Sequence, residues 1–84
     1  MRKGRLENWQ EIEWMGQTRL TGNVYECDAF PEGHEMLTSE LVKYHTFMGQ
    51  TVAETYSGSM YHLGKPAENN RTIQEIFSKY TNTN

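Results

Sequence analysis

Polar and apolar residues alternate most clearly around Tyr56-Ser57-Gly58-Ser59-Met60-Tyr61-His62-Leu63-Gly64, where a glycine-centred turn leads into apolar alternation and a second glycine ends it. This pattern predicts a β-hairpin, with Thr51 to Tyr56 as the outgoing strand and Met60 to Leu63 as the returning one. Upstream, Leu20, Gly22 and Val24 alternate with Thr21, Asn23 and Tyr25, giving a strand that starts at Arg19 and ends by Asp28. Asp28-Ala29-Phe30-Pro31-Glu32-Gly33 then reads as a turn: Pro31 fixes φ, Gly33 can take φ > 0, and Phe30 serves as anchor. Met36 to Met48 is the longest strand-like stretch, although Glu40-Leu41-Val42-Lys43 also fits one helical turn, and Gly49-Gln50 punctuates its end.

The two ends of the chain are less regular. In residues 1–18, Leu6, Trp9, Ile12 and Met15 fall on helical spacing, while Ile12 and Trp14 alternate with Glu11 and Glu13 as a short strand would. The reading is a disordered or loosely attached start, over about residues 1–10, followed by a strand near Glu11 to Met15. After Gly64 a polar connector, Lys65-Pro66-Ala67-Glu68-Asn69-Asn70, offers an N-cap, and Ile73, Ile76, Phe77 and Tyr80 follow at i, i+3, i+4 and i+7. The spacing predicts an amphipathic helix over 68–80, with Thr81 to Asn84 frayed. The fold class expected is α+β: one domain over 1–84, with a small, strongly bent antiparallel sheet or SH3- or OB-like barrel of four to five strands and one C-terminal helix.

Composition limits how such a domain can be stabilised. The 84 residues are 36% hydrophobic and a third of those are aromatic, so the core is thin and rests on a few large rings. Self-association is a common remedy for a chain this small, and a homo-oligomer is expected. The net charge is −3 and the basic residues are spread along the chain, with only Arg2, Lys3 and Arg5 close together. That balance argues against a duplex-DNA binder, whose affinity comes from a basic surface releasing counterions. Cys27 is the single cysteine, which points to a reducing interior. With no apolar run long enough to cross a bilayer and no signal-peptide pattern, the expectation is a cytoplasmic protein with no membrane partner.

Candidate chemistry narrows by elimination. Cys27, His34, His45 and His62 would suffice in number for a zinc site, but none stands in the close pairs that such sites draw on, so no metal or cofactor is expected. Ser57 and Ser59 lack the Gly-x-Ser-x-Gly elbow, and Cys27 lies between Glu26 and Asp28, acidic neighbours that disfavour a thiolate. No catalytic residue is assigned and the chain is read as non-enzymatic. Glu11 with Glu13, and Glu32 with Glu35, read as solvated acidic faces. Anion or nucleotide binding gathers more support: Arg19 offers a bidentate fork, Thr38, Ser39, Ser57 and Ser59 offer hydroxyls, the Gly58 turn offers N–H groups, and Tyr56 and Tyr61 offer ring faces. The competing reading has Thr38 and Ser39 satisfying strand-end backbone groups and the tyrosines filling the core. Met15, Met36, Met48 and Met60, with the Trp and Tyr residues, are either core filling or adaptable surface for a protein partner.

Gly22, Phe30, Gly33, Thr38-Ser39, Ser57-Gly58-Ser59, Tyr61 and Leu63-Gly64 together give a Phe-x-x-Gly turn, a Thr-Ser strand and a Ser-Gly-Ser-x-Tyr-x-Leu-Gly hairpin. Over residues 20–64 the chain resembles short proteins of bacteriophage and prophage type. The resemblance implies a small β core and an accessory role in a host bacterium, namely inhibition of host defence by sequestering a small nucleotide signal or a host protein. Two alternatives stand beside it. One is a single-stranded nucleic-acid binder on a small barrel, with Trp9, Trp14, Tyr25 and Tyr44 as stacking platforms. The other is a structural or assembly component of a virion.

Overall fold

A computed structural model describes residues 3–68. Five strands follow in chain order: β1 (Lys3–Trp14), β2 (Gln17–Tyr25), β3 (His34–Phe47), β4 (Gln50–Thr55) and β5 (Met60–Leu63). Each pairs antiparallel with the next, and β5 returns to pair parallel with β1, so the sheet closes into a ring. The barrel expected from the sequence forms with five strands. Their sequential order makes it a meander, unlike the Greek-key path of an OB-type barrel. The described part is all-β; the helix expected over 68–80 falls almost wholly outside the described residues.

Inside the ring, Leu6, Leu20, Val24, Cys27, Met36, Ala53 and Tyr61 form one buried cluster, against which Trp9, Phe30, Leu41 and Leu63 pack. Fully burying a side chain such as Leu6 or Leu20 contributes about 2 kcal/mol. The expected turn after β2 forms as read: Gly33 sits at φ +79°, and the Phe30 ring stacks on His34 with centroids 5.3 Å apart. Glu40 to Lys43 is strand rather than a helical turn, with a bulge between Leu41 and Lys43.

The start of the chain corrects the expectation. Residues 3–10 are not a loose end but the first part of β1, held on one edge by β2 and on the other by Met60 to Leu63. Two physical causes hid this. The β5 partner is distant in sequence, Lys3 pairing with Met60, and β1 carries a bulge between Glu7 and Gln10 with Asn8 at φ 55°. The extra residue places both Leu6 and Trp9 against the core, a spacing of three that mimics a helix. Gly22 lies beside that bulge.

Two hairpins end in the same five residues apart from the first aromatic: Trp14-Met15-Gly16-Gln17-Thr18 and Phe47-Met48-Gly49-Gln50-Thr51. In both, Met and Gly are at positive φ (53° and 77°; 51° and 77°), the two-residue turn whose twist matches the strands it joins. Methionine is a poor fit to the first of those positions, and Met15 and Met48 are 80% and 86% exposed. Asparagine tolerates this backbone better. Met15→Asn and Met48→Asn are each expected to stabilise the domain by about 0.5 kcal/mol; a fall in the urea midpoint would contradict the turn assignment.

Candidate functional site

The residues proposed from sequence as a ligand site do not act as one unit. Arg19, Ser39 and Tyr56 line a corner cleft of about 400 Å³ together with Gln17 and Glu40. Ser57 stands at its rim, but the hydroxyls there bond mainly to one another: Ser39 Oγ donates to Ser57 Oγ (3.3 Å) and accepts from the Ser57 N–H (3.2 Å), and Ser57 Oγ lies 3.2 Å from Ser59 Oγ. Gly58, at φ +88°, directs its N–H to Thr55 O at 2.8 Å. Thr38 Oγ1 accepts from the Leu20 N–H and donates to Ser39 O, the backbone role weighed above. Ser59 is buried, and Tyr61 is a core ring with no face for a ligand. Arg19 spreads its guanidinium over Gln17 Oε1, Thr38 O and the Trp14 ring, leaving a buried Nε–H without a hydrogen-bond partner among the described residues.

The four rings named as stacking platforms separate in a similar way. Trp14 lies under Arg19 and Tyr25 under Arg5, each ring covered by a cation. Trp9 and Tyr44 instead meet at the open mouth of the barrel. Because β5 is only four residues long, the ring closes over one end of β1 and leaves the other end facing β3 and β4 across a cleft of about 330 Å³. Trp9, Glu11, Tyr44, Thr51, Leu63 and Gly64 line it.

The bulge in β1 and the register of β3 build this mouth. Glu11 pairs with the buried Leu20, and Tyr44 with the buried Ala53, so both side chains project on the inner face of the sheet. Tyr44 donates to Glu11 Oε2 at 2.5 Å, joining β1 to β3 across the opening. Trp9 Nε1–H donates to Gly64 O at 3.0 Å, which fixes the indole in the wall. Gly64 has no Cβ to spare: one placed there would stand 2.2 Å from the Glu7 carboxylate. That carboxylate accepts from the Lys65 N–H at 2.8 Å and lies beside Arg5, contacts that hold it below the usual carboxylate range.

Burial, and then the Glu11 carboxylate, push the Tyr44 hydroxyl well above its ordinary value. The unfolded chain releases that proton at about pH 10, whereas the folded one retains it. Stability from this pair is therefore complete below about pH 10 and is lost as pH climbs past it. The parent protein is expected to lose unfolding free energy more steeply above about pH 10 than Tyr44→Phe, and equal slopes would remove the pair from the account.

Compared with protein-family models, characterised proteins and solved structures, the chain gives no significant match. The site must be read from its own chemistry.

Another cleft, of about 480 Å³, lies beside the mouth and shares Thr51 and Leu63 with it. Its charges are already matched within the protein, because Arg5 bonds to Glu7 and Glu26 and covers Tyr25. His45 is similarly engaged, 2.7 Å from Glu54. Among the described residues no group of three or more His, Cys, Asp or Glu side chains converges to hold a metal ion. The sequence reading places Trp9 and Tyr44 together among the stacking rings and Glu11 on a solvated acidic face. It misses Thr51, Leu63 and Gly64, and nothing local in the sequence signals that the six converge.

Proposed function

We propose that this chain is a non-enzymatic binding domain that acts by occupancy, holding its partner at the open mouth of the barrel. The observation that carries this reading is the short β5, which leaves two fixed aromatic rings and a carboxylate around a cleft instead of a closed seam. Barrel mouths of this kind, with apolar walls and a few placed polar groups, suit ligand capture. The expected setting, an accessory protein that disables host defence, rests on the phage-type sequence resemblance alone.

A second reading places a small phosphorylated ligand in the corner of Arg19, Ser39 and Tyr56. The Arg19 Nε–H, without a hydrogen-bond partner among the described residues, favours it, while Glu40 in the same cleft opposes an anion. One experiment separates the two. Backbone amide spectra recorded with a panel of cationic, neutral and anionic fragments, the last including adenosine monophosphate, should show shifts clustered at Trp9, Thr51, Leu63 and Gly64. Shifts confined to Ser39, Tyr56 and Ser57 with the anions would select the corner instead. A panel that moves neither group would end the mouth reading.

Self-association belongs to the same proposal. Phe47, 71% exposed, and Met48 beside it have the apolar area to give to a second copy.

A further inference from the structure

Resting on the mouth as the binding site, we infer that it takes an organic cation: an ammonium head group, with a methylated ammonium as the best fit. Three features of the cleft converge on this class. Its two rings, Trp9 and Tyr44, stand in one lining and are held there by hydrogen bonds to Gly64 O and Glu11, so their positions do not depend on the ligand. Aromatic faces attract cations, by roughly 0.5–2 kcal/mol per contact depending on how dry the site is. Among the described residues the only charged side chain in the lining is a carboxylate, Glu11, and none of them places a lysine or arginine there.

Glu11 spends one oxygen on the Tyr44 hydroxyl, leaving the other for a ligand. Glu7, on the far side of Gly64, is outside the lining and is matched by Arg5 and the Lys65 N–H, so the charge the cleft presents is that of Glu11. A phosphate or nucleotide entering here would meet the Glu11 carboxylate and, among the described residues, no cation of the lining. Methylation favours the fit because a methylated ammonium is weakly hydrated and loses little on leaving water, while it keeps its charge for the rings. The volume of about 330 Å³ takes such a head group and its first methylenes.

The test uses the full chain with choline and with its uncharged carbon isostere, in which a tert-butyl group replaces trimethylammonium. Amide shifts at Trp9, Thr51 and Gly64, and at the Trp9 indole N–H, report occupancy. Choline is expected to bind at least about 10-fold more tightly than the isostere, and Glu11→Gln to weaken choline by about 10-fold while the spectrum stays dispersed. A peptide carrying trimethyllysine between neutral residues, run beside the same peptide with unmodified lysine, separates a protein source of the cation from a free small molecule. If the isostere matches choline, or Glu11→Gln leaves choline unchanged, the cation inference fails while the mouth survives as a binding site. If no probe moves the mouth resonances, both fail together.

Discussion

Replacing Gly22 with valine is expected to remove a large share of the domain's stability, at least about 3 kcal/mol. A Cβ at this position would lie 2.9 Å from Glu7 O and 3.1 Å from Trp9 Cα, and both obstacles are backbone of the β1 bulge. Backbone cannot swing aside as a side chain does. Withdrawal of β1 would also pull Trp9 off the core and break the Gln10 to Thr21 pairing. Overpacking of this kind costs about 1–3 kcal/mol when side chains can adjust, and more where the main chain must move. A domain of this size holds only about 4–13 kcal/mol in total. Urea denaturation should place Gly22→Val at least about 3 kcal/mol below the parent, with Gly22→Ala between them. A valine variant as stable as the parent would mean that β1 and β2 do not approach as closely as described.

Leu20→Ala should have an effect of similar size by the opposite route. Leu20 is fully buried within the main cluster, and its removal opens a cavity walled by strands that are tied on both edges. Such truncations cost about 2–5 kcal/mol, the upper values where the surroundings cannot collapse. Val42→Ala on the exposed part of β3 is the control, expected within about 0.5 kcal/mol of the parent. A difference between the two variants below about 1 kcal/mol would place Leu20 outside the core.

How much of this could be read from the residues depended on whether each strand had a nearby partner. β2, β4 and β5 follow from alternation and turn chemistry because their partners come next in the chain, and the Gly58 and Gly33 turns fall where glycine is needed. Of β1 only the second half, Glu11 to Trp14, follows in this way; the first half does not, because the bulge interrupts the period of two and its closing partner is β5. The site suffered from the same gap. Without the first half of β1 in place, Trp9 and Glu11 had no position relative to Tyr44, Leu63 or Gly64. The serine and threonine hydroxyls, by contrast, were conspicuous in the sequence but mostly serve the turn and strands around them.

Pairing of Lys3–Leu6 with Met60–Leu63 sets an order in time as well as in space. A nascent chain emerging from the ribosome cannot complete the circle until Leu63 has cleared the exit, so the far edge of the first strand stays bare until then. Joining segments so distant in sequence carries a loop-closure cost that local pairs avoid, and places barrel closure in the range of milliseconds to seconds rather than microseconds. Until the last strand arrives, that open edge is where a newly made molecule is most exposed to mispairing with a neighbour.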